Sequence, residues 1–213
     1  MNYLMGLNAS LFHLINGVWT NPILDTLMPA LSRAGNLGVI WLVLLGTVAA
    51  LGEKTGRRIA LAGLVALAIG FASSTLLKEL AMRPRPFVTL DEVRLLVSAP
   101  HSYAFPSGHA TSAFAAAASV VLAARRLLGR VPLWSWAMLP LAAAIAYSRI
   151  YVGVHWPTDV AAGVVLGLAS GWAGTRLALR RWRRKAVKRP AKEPEGVEAA
   201  PELEYVFGEV PRR

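Results

Sequence analysis

Three short clusters hold side chains that could handle a phosphate. "KELAMRPRP" contains Lys78 and Arg85, seven positions apart. "PSGH" contains Ser107, Gly108 and His109, and "SRIYVGVHWPTD" contains Arg149, His155 and Asp159. Lys78, Arg85 and Arg149 are fixed cations, and a guanidinium matches phosphate oxygens with two parallel hydrogen bonds. Ser107 has the type and place of a helix N-cap. The free N–H groups behind it, at Gly108 and His109, form an anion site at a helix start. Gly108 has no side chain to hold an oxyanion away from that backbone.

Two histidines complete the set. His155 precedes Trp156-Pro157, and Pro157 suits the first position of a helix. Asp159, four residues on, can reach back one turn to the His155 ring. A carboxylate on one ring nitrogen sets the tautomer and leaves the other nitrogen as a nucleophile. His109 is the candidate to protonate a leaving oxygen. Together these groups describe a phosphoryl-transfer site that needs neither metal nor cofactor.

Each cluster alone also has a plainer reading. Lys78 can snorkel from a helix end, Arg83 and Arg85 can meet lipid head groups, and Arg149 can anchor at an interface. "PSGH" can be only a helix start, and His155 with Asp159 only a polar pair capping a helix. The plain readings fail jointly. Charged groups at a membrane edge are costly, and here cations, imidazoles and two helix starts gather on one face.

The membrane enters through composition. Hydrophobic residues make up 55% of the 213 residues and charged residues 16%, against about 25% charged in soluble domains. Five segments have the apolar length of spanning helices: 36–52, 57–80, 109–128, 132–150 and 157–179. Residues 1–35 are apolar but carry Asn2, Asn8, His13 and Asn16, and they lack the basic start of a signal peptide. Asn21-Pro22 marks a helix start there. The region is expected to hold an interfacial helix and a short helix leading into the first span, or else a sixth span within 8–31. The expected fold is an all-α, polytopic transmembrane bundle of five to six spans. Residues 36–180 are expected to form its membrane core, and a basic, then Pro- and Glu-rich tail over 181–213 is expected to be disordered beyond 190. The chain has no cysteine, which excludes disulfides and thiolate metal sites.

The net charge of +11 is unevenly placed. Lys54, Arg57 and Arg58, then Arg125, Arg126 and Arg130, then "RLALRRWRRKAVKR" all fall on one side of a five-span arrangement. Basic span ends mark the cytoplasmic face. The loops 81–108 and 150–156, with the chemistry, are therefore expected outside, in the plasma (inner) membrane. The surplus charge is read as topology and lipid contact, not nucleic-acid binding.

Lys-x6-Arg-Pro (78–86), Pro-Ser-Gly-His (106–109) and Ser-Arg-x5-His-x3-Asp (148–159) resemble the three signature motifs of the type 2 phosphatidic acid phosphatase family, which includes vanadium haloperoxidases. The similarity covers about residues 36–180. It implies a helical core and a phosphohistidine intermediate. His155 would be the nucleophile, Asp159 its partner and His109 the acid. Lys78, Arg85, Ser107, Gly108 and Arg149 would bind the phosphoryl group, with no metal. The implied partner is a lipid phosphate in the bilayer. An outward site favours undecaprenyl diphosphate over phosphatidylglycerophosphate or phosphatidate. Five apolar spans argue against the soluble haloperoxidase branch. A complete acid, nucleophile and orienting carboxylate argue against a non-catalytic anion-binding membrane protein.

Overall fold

The structure, a computed structural model, describes residues 3–187; Asn2 and the tail expected to be disordered over 190–213 lie outside the described residues. Helix α1 (Tyr3–His13) runs into a π-turn (Leu14–Val18), followed by α2 (Pro22–Ala34). A 3₁₀ turn (Asn36–Gly38) leads into α3 (Val39–Leu51) and then α4 (Glu53–Ala81). The one-turn α5 (Pro86–Thr89) opens a long loop. Beyond it come α6 (Gly108–Leu128), the one-turn α7 (Leu133–Trp136), α8 (Met138–Tyr151) and α9 (Pro157–Val187).

Local chemistry sets several of these boundaries. The Asn21 side chain accepts from the Leu24 N–H at 3.0 Å, and Pro22 is the first residue of α2. Ser107 caps α6 by accepting from the Ala110 N–H. Between α2 and α3, Leu37 and Gly38 take left-handed backbone (φ 51° and 70°). Such a pair cannot continue a right-handed helix. The two segments consequently meet at 55°.

The core is a bundle of α4, α6 and α9, held by small residues. Gly163, Gly167 and Gly171 repeat every fourth residue along α9, so they share one face. Added Cβ atoms there would lie 2.6 Å from Ser107 O, 2.6 Å from Thr111 O and 2.8 Å from Ala118 Cβ. Only glycine permits that approach. On α6 the facing Ala110 and Ala115 are fully buried. Close packing of small residues is how helices associate where hydrocarbon surrounds them and apolar burial alone gives no preference. The pairing also fixes direction: α9 runs parallel to α6, and α4, whose Gly70 meets Thr111 and Ala115, runs antiparallel to both. Hence the basic residues at the start of α4 and the end of α6 share one end of the bundle. The three chemical clusters share the other.

Among the described residues, three helical stretches are long and apolar enough to cross a bilayer: Glu53–Thr89, Gly108–Leu128 and Pro157–Arg180. The bent pair of α2 with 36–51 makes a fourth if it is one span. The segment 132–150, expected as a single span, is divided into α7 and the 14-residue α8. At 1.5 Å per residue, α8 alone reaches only about 21 Å, short of a hydrocarbon core about 30 Å thick.

The polar residues of the amino-terminal region are structural pins. The Asn16 side chain donates to Tyr151 O at 2.7 Å and to Arg94 O at 3.0 Å, and it accepts from the Arg94 N–H at 3.0 Å. Arg94 also pairs with Asp25 at 2.7 Å, and the Tyr151 hydroxyl donates to Asp25 at 2.6 Å. Asn8 accepts from the Thr158 N–H at 3.1 Å. These bonds tie the 90–107 loop and the start of α9 to α1 and α2.

Candidate active site

Six elements deliver the site. Lys78 comes from the last turn of α4, and Arg85 from the residue before α5. Ser107, Gly108 and His109 form the start of α6, and Arg149 lies in the last turn of α8. His155 is in the connection to α9, and Asp159 in the first turn of α9.

Arg85 is the hub. It is 5% exposed. Its Nε donates to Ser102 O at 2.7 Å, and its Nη2 donates to Ser102 Oγ at 3.1 Å and Tyr103 O at 3.2 Å. Its Nη1 donates to Val154 O at 2.7 Å and lies 3.3 Å from His155 Nε2. A guanidinium has no acceptor, so His155 Nε2 must present a lone pair to it. The single proton of a neutral His155 ring is then on Nδ1. That atom faces Asp159 Oδ2 at 3.6 Å, a reach longer than a hydrogen bond, and has no other partner. Burial holds the His155 ring well below the ordinary imidazole value, and the nearby Arg85, Arg149 and Lys78 charges push the same way. The ring is therefore neutral at physiological pH, with its lone pair on the nitrogen beside Arg85.

Asp159 is fully buried. Its Oδ2 accepts from the Trp156 N–H at 2.9 Å, and its Oδ1 from Arg83 at 2.6 Å. The backbone ties the clusters together further, because the Ser107 N–H donates to Asp159 O at 3.0 Å. Arg83, for which the sequence offered only the plain reading of a lipid head-group contact, is the ion-pair partner of Asp159, and it stacks over Trp156 at 5.5 Å. Its place in "RPRP" beside Arg85 is the only signal the sequence carries for it.

Lys78 Nζ donates to Tyr103 O at 2.7 Å, the carbonyl that Arg85 also binds. A Cβ at Gly108 would have only Lys78 Cε near it, at 4.0 Å, so the start of α6 is open to a ligand. Arg149 Nη1 donates to Ser32 Oγ on α2, while its Nε is buried with no protein partner. His109 Nε2 faces Ser32 O at 3.2 Å and Asn36 Oδ1 at 3.0 Å. Ser32 and Asn36 carry no motif that sequence reading could use.

Two cavities converge on His109. One, about 510 Å³, is lined by Leu42, Leu64, Leu67 and Phe71 and ends at Lys78 and Gly108. The other, about 900 Å³, is more polar, with Ser32, Arg33, Asn36, His101 and Arg149 on its walls. Arg83 is paired with the Asp159 carboxylate, and Lys78 and Arg85 lie close enough for their charges to act on it. Among the described residues no three His, Asp or Glu side chains gather as a metal site would require.

The profile of the PAP2 superfamily matches residues 59–183, which include every one of these motif residues. The chain belongs to the PAP2 superfamily. PAP2 relatives cover most of the chain. An undecaprenyl-diphosphatase from Sulfolobus acidocaldarius is 34% identical over 166 residues, 76% of this chain and 74% of that protein. A decaprenylphosphoryl-5-phosphoribose phosphatase from Mycobacterium tuberculosis is 37% identical over 145 residues, 66% of this chain and 73% of that protein. Among solved structures, Aquifex aeolicus LpxE superposes with a TM-score of 0.62 at 29% identity, covering 80% of this chain and 95% of that one. The protein is thus a PAP2 membrane phosphatase with an all-α transmembrane bundle.

Proposed function

We propose that this protein removes the terminal phosphate of a polyprenyl diphosphate, undecaprenyl diphosphate above all, through a phosphohistidine on His155, on the extracytoplasmic side of the plasma membrane. The observation that carries the chemistry is the lone pair of buried, neutral His155 Nε2 beside Arg85. That nitrogen attacks the terminal phosphorus, and the bond from phosphorus to the bridging oxygen breaks. Undecaprenyl phosphate leaves, taking a proton from His109 as needed. Water then attacks the phosphorus, His109 takes its proton, the P–N bond breaks and inorganic phosphate is released. Lys78, Arg85, Arg149 with its unpartnered Nε, and the N–H groups behind Ser107 and Gly108 hold the phosphoryl oxygens. Asp159 steadies the imidazolium side of His155. The apolar cavity between Leu42 and Phe71 suits a prenyl chain, and the polar one suits water and departing phosphate. Residues 36–180 act as the phosphatase core.

Substrate choice rests on the two prenyl-phosphate relatives and on the direction of the bundle. Release of phosphate from undecaprenyl diphosphate in detergent, beside phosphatidylglycerophosphate and phosphatidate, tests it. The diphosphate is expected to give the highest kcat/KM, and a preference for either phospholipid would overturn the choice. Activity is expected to survive excess EDTA, since a divalent ion would have to enter among four cations that already supply its charge. Loss with EDTA and recovery with Mg²⁺ would refute that part.

Sidedness has its own test, helped by the absence of native cysteine. Ser98→Cys, in the loop near the site, is expected to react with a membrane-impermeant thiol reagent in intact cells. Gly129→Cys, at the basic end of α6, is expected to react only after permeabilisation. The reverse pattern would place the site in the cytoplasm and remove the main reason for preferring an outer-leaflet substrate.

A further inference from the structure

The amino-terminal helices reach the chemistry at one place, the break between α2 and α3. Ser32 is 1% exposed in the last turns of α2. Its hydroxyl accepts from Arg149 Nη1 and its carbonyl faces His109 Nε2 at 3.2 Å. One residue thus touches two groups that come from α8 and α6. Gly35 lies under the ring: a Cβ there would be 2.9 Å from His109 Cδ2 and 2.9 Å from Ile145 Cγ2. Asn36, on the 3₁₀ turn, adds Oδ1 at 3.0 Å from the same His109 nitrogen. All three precede residue 59, where the family match begins.

The Ser32 carbonyl can only accept, so Nε2 of His109 carries a hydrogen in this arrangement. The proton that His109 exchanges with substrate or water is then the one on Nδ1. We infer that Ser32, Gly35 and Asn36 are positioning residues that lock the His109 ring and tautomer, leaving Nδ1 free for the proton transfers at the phosphorus. This rests on the proposed role of His109. In the second half-reaction the oxygen of water bonds to phosphorus, its proton passes to His109 Nδ1, and the bond to His155 Nε2 breaks. A wrongly held His109 slows that step most, because a phosphate leaving group departs with little help from an acid in the first.

Asn36 is exposed, so its replacement does not threaten the core. With undecaprenyl diphosphate labelled in its terminal phosphate, Asn36→Ala is expected to lower kcat about tenfold, the scale of one lost hydrogen bond to a reacting group. KM is expected to change little. The share of protein caught as phosphohistidine at steady state, after quenching in alkaline SDS, is expected to rise severalfold. Asn36→Asp keeps an acceptor oxygen in place and is expected to restore turnover and remove the accumulation. An unchanged kcat, a fall without accumulation, or failure of Asn36→Asp to rescue would overturn the positioning role. His109→Gln serves as the reference. If it does not accumulate phosphohistidine while His155 still becomes labelled, the assignment of His109 fails, and the positioning role with it. If His109→Gln accumulates and Asn36→Ala does not, only the positioning role fails.

Discussion

Replacing His155 by Ala is expected to lower phosphate release by more than about a thousandfold, the scale on which loss of a nucleophile acts. The ring is buried and presents its Nε2 lone pair beside Arg85, at the centre of the phosphate-binding groups. The fold is expected to survive. Without the imidazole, Arg85 Nη1 keeps Val154 O at 2.7 Å, and the Arg149 carbonyl still accepts from the backbone N–H groups of residues 154 and 155. Two measurements check this: phosphate release, and recovery of label in an alkali-stable, acid-labile adduct. Wild type is expected to form the adduct and His155→Ala to form none. An adduct in His155→Ala, or activity within a hundredfold of wild type, would remove His155 as nucleophile. Asp159→Asn is expected to cost less than His155→Ala, because the carboxylate orients the ring and does not react. The substituted side chain keeps an acceptor for the Trp156 N–H and does not itself bond to phosphorus.

The next largest effect is expected at Arg85. Arg85→Lys keeps the charge but not the fork. An ammonium cannot serve Ser102 O, Ser102 Oγ, Tyr103 O, Val154 O and His155 Nε2 together, as the guanidinium does. Losing two charge-assisted contacts, at about 1.5–3 kcal/mol each, corresponds to roughly a hundredfold or more in kcat/KM. Part of the loss comes through His155. Without Nη1, only Asp159 Oδ2, 3.6 Å from Nδ1, still favours Nε2 as the lone-pair nitrogen, and the ring can place its proton there. Steady-state kinetics of Arg85→Lys beside Arg85→Ala decides the point. If Lys retains more than a tenth of wild-type kcat/KM, charge alone suffices and the fork has no role in orienting His155.

Signals that act within a few residues are legible along the chain. Asn21-Pro22, Ser107-Gly108 and Pro157 announce helix starts, because a cap bonds backbone only two or three positions on and proline's φ is set by its own ring. The spacing of His155 and Asp159 puts both at one helix entry, and a long apolar run needs no partner to be recognised. The motif spacings carried the family with them. How those local pieces meet depends on contacts between residues far apart in the chain. Arg83 is 76 residues from Asp159, and Ser32 is 117 from Arg149. Arg83 and Arg85 look alike in "RPRP", yet one turns to the carboxylate and the other to the imidazole. Division of 132–150 and the 55° bend before α3 also escape a hydropathy reading, which scores apolar length and not direction. The tautomers were out of reach for the same reason. Asp159 alone suggested that of His155, but Arg85 compels it, and His109 takes its own from a carbonyl on a helix that no motif touches. Which nitrogen holds a proton depends on whether a donor or an acceptor arrives from across the bundle, and only packed helices bring one there.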